Sequence, residues 1–502
     1  MYFISVDIGT QSTRAALSDE KGKIVSAFSV PSTLHQAEQG EIWQDPEEIL
    51  ENCIHSIREV TNLQPQLAKK VEMICIDGQM AGIMGIGKDG RAVTPYDSWL
   101  DKRCEKYAEQ LRKMGEDEII KQTGTPIISA HGPKILWWKQ ERPEIYRIIA
   151  KFVPISSYIT MRLCGLQAED AYLDITHLHF AGFADIKEKR WVSDLIRSVD
   201  LDKNKLPQIV KPFEIAGRLT RSAAEKIGLT QGIPLVYGCG DTAACILGAG
   251  VTESGTLIDV AGTASVFGCA TDIFSPDVAN KTILFAPSVI EDLYIPMAYI
   301  AGGGMCLKWY RDMVLHGEKT YQELDKAVEN YPCGSLGLLF IPHFSGRTCP
   351  NDTNVQGTWL RLNWRHDYRH LYRSILESIA YEYDMYYNII IQLMEKQITG
   401  QYVVSVGGGS RSEIMCQIKA DVLGLPVRTV KIIDTGLVGC QAICCYAAGV
   451  YSSIPQAGKL LNGWKKEFFP EERNHLAYRP YSNTYRKVLD GLGRLYGSLH
   501  YI

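Results

Sequence analysis

Two short stretches of this chain repeat one pattern, about half a chain apart. Residues 3–13 read FISVDIGTQST, and residues 256–265 read TLIDVAGTAS. Each is an apolar run ending in a turn with Gly-Thr-x-Ser: Gly9, Thr10 and Ser12 in the first, Gly262, Thr263 and Ser265 in the second. Such a run reads as a buried strand, and the glycine marks a sharp turn at its end. A chain of 502 residues exceeds what a single hydrophobic core usually holds. The repeat therefore suggests two lobes of related design, expected at 1–245 and 246–502.

Other apolar runs, at 71–76, 233–237 and 402–406, read as strands as well. Amphipathic stretches at 46–60, 101–114, 368–394 and 411–424 read as helices. Strands alternating with helices point to α/β architecture, with sheets covered by helices. The net charge of −4 gives no electrostatic reason for a nucleic-acid or anionic-membrane partner. No stretch approaches the ~18 uninterrupted apolar residues of a membrane span, and the chain starts directly on a strand-like run. The fourteen cysteines are scattered without a Cys-x-x-Cys pair, which reads as reduced thiols. A cytoplasmic protein is expected.

The first turn, Asp7-Ile8-Gly9-Thr10-Gln11-Ser12-Thr13-Arg14, has the parts of a phosphate and metal site. An acid at a strand end suits Mg²⁺, successive N–H and hydroxyl groups suit an anion, and Arg14 suits a phosphate oxygen. An ordinary hairpin corner is the plainer alternative. The second turn, 261–265, offers similar donors without the acid. Two more glycine turns, Gly302-Gly303-Gly304 and Gly407-Gly408-Gly409, allow close backbone approach to a ligand. Neither follows the spacing of a dinucleotide fingerprint.

Asp241 lies in Gly238-Cys239-Gly240-Asp241-Thr242, after an apolar strand and before a small-residue helix. Phosphoryl transfer to a hydroxyl needs a carboxylate within reach of that hydroxyl, although an N-cap aspartate fits the same spacing. His177 and His179 suggest a metal only weakly, because no further ligand cluster accompanies them.

In this order the segments resemble the FGGY family of carbohydrate kinases over essentially the whole chain, xylulokinases most of all. DIGTQSTR, VAGTAS, GCGDTAACILGAG and VGGGSRSEIMCQIKADVLGLPV are similar to its two phosphate motifs, its catalytic-acid segment and its adenosine motif. GPKILWW, GTWLRL and HLYRSILESIAYE match further signatures. The resemblance implies an actin-like α/β fold of two ribonuclease-H-like lobes around a central cleft. It implies ATP-dependent phosphorylation of a small sugar with Mg²⁺. Asp241 would be the general base and Asp7 the second catalytic acid, and both would bind the metal. Thr10, Gln11, Ser12, Arg14, Thr263 and Gly304 would line the phosphates, and Gly408 and Gly409 the adenosine. Gln79, Met80, Ala81, Trp99, Asp101 and Arg103, with Asp241, would meet the sugar.

Departures from the family pattern fall mostly on the sugar side. Ala81 stands where histidine is usual, Leu100 where asparagine is, His131 where a small residue is, and Arg361 where glycine is. Thr242 replaces an asparagine. D-xylulose is the first choice of substrate, against another ketose, a polyol or a sugar acid. A non-catalytic sugar-sensing pseudokinase is the runner-up of another class, and an actin-like chaperone ATPase or filament subunit a further one. A homodimer is left open.

Overall fold

The computed structural model describes residues 1–37, 40–395 and 400–498. They form two compact units, which we treat separately. The first comprises Met1–Thr252, Phe285–Tyr294 and Asp434–Asn462, and the second Glu253–Leu284, Ile295–Ile433 and Gly463–Ile502. The sequence alone assigns 434–462 to the second half of the chain, yet this segment packs in the first unit.

The sheet of the first unit contains β1 (Tyr2–Ile8), β2 (Ser12–Asp19), β3 (Ile24–Pro31), β4 (Val71–Gly78), β5 (Ile215–Arg218) and β6 (Pro234–Val236). Their order is β3-β2-β1-β4-β6-β5. β1, β2 and β3 are antiparallel neighbours, β4 and β6 run parallel with β1, and β5 closes the edge antiparallel. The turn after β1 is indeed a hairpin corner, with Gly9 N donating to Ser12 O at 3.0 Å. β1 and β4 are buried along nearly their whole length, as parallel strands covered on both faces must be.

One covering helix, Pro46–Leu63, shows how the sequence specifies it. Asp45 caps its first turn by accepting from Glu47 N, and Pro46 opens it, where a proline's missing N–H costs nothing. Ile49, Leu50, Cys53, Ile54, Ile57 and Val60 then recur at helical spacing on the buried face.

The second unit repeats the plan. It holds β7 (Thr256–Ala261), β8 (Ser265–Cys269), β9 (Tyr294–Ile300), β10 (Tyr402–Val406), β11 (Val427–Val430) and β12 (Trp464–Phe468), in the order β9-β8-β7-β10-β11-β12. Again three antiparallel strands are followed by two parallel ones and an antiparallel edge. Both units thus have the related design expected of the repeat and the ribonuclease-H-like strand order that the family resemblance implies, and the Gly-Thr-x-Ser turns occupy equivalent hairpins.

Helices Asp241–Gly248 and Thr435–Ala447 of the first unit touch backbone to backbone. A Cβ at Gly248 would lie 1.9 Å from Thr435 O, and one at Gly439 1.9 Å from Ala244 O. Glycine at these two positions lets the second helix enter the unit with its N-terminus beside the ends of β1 and β4. Among the described residues all fourteen cysteines are free, and Cys444 and Cys445 are buried in this helix.

Candidate active site

Three carboxylates converge at the C-terminal ends of β1 and β4 in the first unit. β1 and β4 pair in register, so Asp7 lies directly beside Asp77. Neighbouring residues in register project to the same face of a sheet. Cys239 and Gly240 pair alongside Asp77 and Gly78, which delivers Asp241 to the same edge. Gly240 N donates to Thr176 Oγ1 at 2.9 Å, fixing that approach. Gly240 occupies the cap position of the helix and Asp241 is its first residue. The N-cap alternative for Asp241 is therefore set aside: its Oδ1 accepts from its immediate neighbour, Thr242 N at 2.6 Å and Oγ1 at 3.2 Å.

The electrostatics follow from this crowding. Enclosure by protein, then the nearby charge of Asp7, raise the pKa of Asp241 to about 7. Burial raises Asp7, against the pull of Arg14. Asp77 is raised furthest above the carboxylate range, by burial and then by Asp7 and Asp241. Asp77 is sealed from solvent, whereas Asp7 and Asp241 keep partial access to it.

A hydrogen-bond network holds the first turn. Gln79 Nε2 donates to Gln44 Oε1 at 2.7 Å and to Gly9 O at 3.3 Å, while Gln79 Oε1 accepts from Thr10 Oγ1 at 3.1 Å. Trp99 Nε1 donates to Thr10 Oγ1 at 3.0 Å. Gln79 and Trp99, expected on the sugar, and Thr10, expected on phosphate, are thus one connected group. Arg14 Nη1 pairs with Asp434 Oδ1 at 2.8 Å and its Nε reaches Ser12 Oγ at 3.4 Å. Gln11 is exposed at the corner. Met80 is buried against Gly240, where any Cβ would lie 2.5 Å from its sulfur. Ala81 has a left-handed backbone, φ 61°.

Asp101 and Arg103 are engaged in a different way. Arg103 pairs with Glu41, Asp97 and Asp101 at 2.8, 2.8 and 2.9 Å, and its guanidinium stacks 4.2 Å from the Trp137 ring. Asp101 also accepts from the backbone N–H groups of Ile42 and Arg103. Trp138 Nε1 donates to Asp97 at 2.6 Å. These side chains brace the 97–103 loop with contacts made inside the protein.

The second unit gathers its glycine turns at the ends of β7 and β10. A Cβ on Gly304 would lie 2.1 Å from Gly262 O, one on Gly409 2.7 Å from the Ala261 side chain, and one on Gly407 2.9 Å from Ala261 O. Met305 N donates to Thr263 O at 3.1 Å. Thr263 and Gly408 are exposed, and nothing lies within 4 Å of where a Gly408 side chain would start. Thr263, Gly304, Gly408 and Gly409, far apart in sequence, share one backbone-lined surface.

The acid one residue earlier than Asp7 in the repeat alignment, Asp259, has another fate. It is fully buried with Lys419, and it accepts from Tyr383 OH at 2.7 Å and Ser405 Oγ at 2.6 Å. His131, His177 and His179 are buried together in the first unit. Among the described residues no three His, Cys, Asp or Glu side chains form a ready-made metal cage.

Sequence reasoning missed Asp77 and Gly436. The signal for Asp77 was present, since an apolar strand running into Asp77-Gly78 has the same form as β1 running into Asp7-Ile8-Gly9. Gly436 belongs to a helix distant in sequence and carries no motif of its own.

Paired ribonuclease-H-like sheets, acids at one sheet's edge and glycine turns at the other's define an actin-like phosphotransferase. Comparison with known proteins agrees. Residues 2–248 match the N-terminal domain, and residues 258–448 the C-terminal domain, of the FGGY family of carbohydrate kinases. The chain is 26% identical to a gluconokinase of Bacillus subtilis, covering 98% of this chain and 96% of that one. It is 23% identical to a xylulose kinase of the same organism, with 97% and 96% covered. The solved structure of a ligand-bound xylulose kinase from Lactobacillus acidophilus superimposes with a TM-score of 0.91 at 23% identity, covering 99% of both chains. This chain belongs to the FGGY family of carbohydrate kinases, and it is an ATP-dependent carbohydrate kinase. No helix among the described residues is long and apolar enough to cross a membrane.

Kinase chemistry implies Mg²⁺, and the first unit fits it. Asp77 Oδ1 is buried without a hydrogen-bond partner. Gly436 lies so close that a Cβ there would be 3.3 Å from Asp77 Oδ2 and 3.7 Å from Asp7 Oδ2.

Proposed function

We propose that this kinase phosphorylates a hydroxyl of a small open-chain sugar, D-xylulose first, with Asp241 as general base. The observation that carries this reading is the position of Asp241, held at a helix start on the same sheet edge as Asp7. Asp241 accepts the proton of the sugar hydroxyl as that oxygen attacks the γ-phosphorus of ATP. Its raised pKa makes it a better proton acceptor than an ordinary carboxylate, nearer the optimum for work at neutral pH. Thr242 holds one oxygen of the carboxylate and leaves the other for substrate. Asp7 holds Mg²⁺, which supplies charge neutralisation on the phosphates when bound.

Gln79, Met80, Ala81, Trp99 and Asp241 form the sugar subsite, and Asp101 and Arg103 brace it from behind. We assign Thr10, Gln11, Ser12, Arg14, Thr263 and Gly304 to the phosphates, and Gly408 and Gly409 to the adenosine. We place the reaction in the cytoplasm. A sugar acid is the second reading, supported by the gluconokinase relative at 26% identity.

An ADP-release screen over ketopentoses, ketohexoses, polyols and sugar acids tests both. The reading expects D-xylulose to be accepted and fails if no sugar raises ATP turnover above its basal rate. A sugar acid preferred over every ketose selects the second reading.

A further inference from the structure

Asp77 is buried beside two further carboxyls, Asp7 and Asp241, and no basic side chain is among the groups that act on it most strongly. Its carboxyl is fully buried, and the charges acting on it most strongly are those of Asp7 and Asp241. It meets the Cys440 thiol at 3.2 Å through Oδ2 and shares a hydrogen bond with the Asp7 carboxyl, while its Oδ1 has no hydrogen-bond partner. Arg14 acts on Asp7 and is itself paired with Asp434. A buried polar oxygen left without a partner is costly, and the unpartnered Oδ1 of Asp77 beside the Asp7 carboxyl is a position that a ligand can fill. The ligand chemistry that fits is a cation.

A second feature points the same way. The helix Thr435–Ala447 passes the acids with a glycine, where alanine would be the better helix former. Any Cβ at position 436 would press on Asp77 Oδ2 at 3.3 Å and come into ordinary contact with Asp7 at 3.7 Å. The glycine keeps space free against both carboxyls.

We infer that Asp77 is a second carboxylate of the divalent-cation site, acting with Asp7 to hold Mg²⁺ where it meets the nucleotide phosphates. This rests on the kinase reading and adds a residue to it. Two in-register acids on adjacent parallel strands give the metal a rigid two-point seat. Lone carboxylates on loops hold a metal less firmly.

The experiment measures Mn²⁺ binding by electron paramagnetic resonance and calorimetry. Wild type, Asp77→Asn and Asp77→Ser are each saturated with a non-hydrolysable ATP analogue. Nucleotide affinity in EDTA serves as the control. Partners that only orient a metal ligand are typically worth about 10–100-fold in metal affinity, so losing a carboxylate of the seat itself should cost at least about tenfold in both variants. Metal-free nucleotide affinity should stay within about threefold. Asn preserves the shape of the side chain and Ser only its polarity, so a folding defect in one does not decide the outcome. Gly436→Ala should weaken Mn²⁺ binding too, while leaving both acids in place. Mn²⁺ affinity within about threefold of wild type in the folded Asp77 variants would overturn the assignment and leave the kinase reading intact. A wild-type protein that binds no Mn²⁺ with nucleotide would overturn both.

Discussion

Asp241→Asn separates chemistry from architecture. The change keeps the shape of the side chain, and an amide Oδ1 still accepts from Thr242 N at 2.6 Å and Thr242 Oγ1 at 3.2 Å. Two small electrostatic effects oppose each other. A negative charge at the first position of the Asp241–Gly248 helix is worth about 0.3–1 kcal/mol against the helix dipole, and Asn forfeits it. Asn also removes the repulsion from Asp7. Stability should therefore change by less than about 1 kcal/mol, whereas the proton acceptor is gone entirely. Loss of a general base costs ~10²–10⁴-fold in kcat, or about 2.7–5.5 kcal/mol of barrier at 1.36 kcal/mol per decade. The assay is coupled ADP release with the best substrate of the screen, beside calorimetric titration of ATP and sugar. Intact binding with kcat down at least a hundredfold is expected. A kcat within tenfold of wild type would refute the base assignment, and loss of sugar binding together with kcat would show that the carboxylate only shapes the pocket.

Lys419→Met leaves the fully buried Asp259 without its cation. Breaking such a pair costs about 3–5 kcal/mol, so thermal unfolding should move down by ~6–20 °C at roughly 2–4 °C per kcal/mol, and Asp259→Asn added to it should restore part of the loss. The buried rings of His131 and His179 predict acid sensitivity. Burial holds His131 well below its ordinary pKa and His179 at about 3. Because their folded pKa values lie below the unfolded value of ~6.5, the unfolded chain alone takes up these protons below that pH. Stability is then complete above about pH 6.5 and falls by ~1.4 kcal/mol per pH unit per histidine as pH drops. Urea unfolding of wild type and His179→Gln at pH 7 and pH 5.5 checks this, with a shallower acid limb expected in the variant.

Strands and turns were legible in the sequence because their signals are local. The runs at 2–6, 71–76, 256–260 and 402–406 became β1, β4, β7 and β10, and the matching Gly-Thr-x-Ser turns became matching hairpins. Even Arg361, where the family pattern has glycine, shows what that pattern records: its backbone is left-handed, φ 66°. Long-range pairings were not legible. Nothing local to 435–447 says that this helix meets Asp241–Gly248 through Gly439 and Gly248, or that Gly436 ends beside Asp7. Residue type alone says nothing of the partners of Arg103, because a charged side chain in a binding motif reads as a ligand contact. The fold shows Glu41, from a distant segment, joining Asp97 and Asp101 of the same loop around it. Asp259 and Asp7 are one residue apart in the repeat alignment, and a one-residue step along a strand reverses the face. One acid is thus sealed in the core with Lys419, and the other is brought to the open edge.

The sugar side yields the last prediction, at Ala81. Its left-handed backbone, φ 61°, is uncommon for a residue other than glycine, but asparagine, aspartate and histidine adopt it several-fold more readily than most. The position is anchored from behind, where the buried Lys134 Nζ donates to Ala81 O at 3.4 Å and to Ser129 O at 2.6 Å. Ala81 itself is half-buried, so a larger side chain has somewhere to go. Ala81→His should therefore fold, with a stability change within about 1 kcal/mol. It adds a hydrogen-bonding group to a wall that has only a methyl. A site built to bond a hydroxyl rejects analogues lacking it by large factors, while an apolar wall separates substrates by about 10–200-fold at most. Ala81→His should thus raise kcat/KM for D-xylulose, relative to that for the best other sugar of the screen, by about tenfold or more. The comparison needs only those four kcat/KM values. If wild type already prefers D-xylulose strongly and Ala81→His lowers that preference, residue 81 does not select the sugar. Specificity then lies with Gln79, Trp99 and the braced 97–103 loop, and the roles proposed for Asp7 and Asp241 stand unchanged.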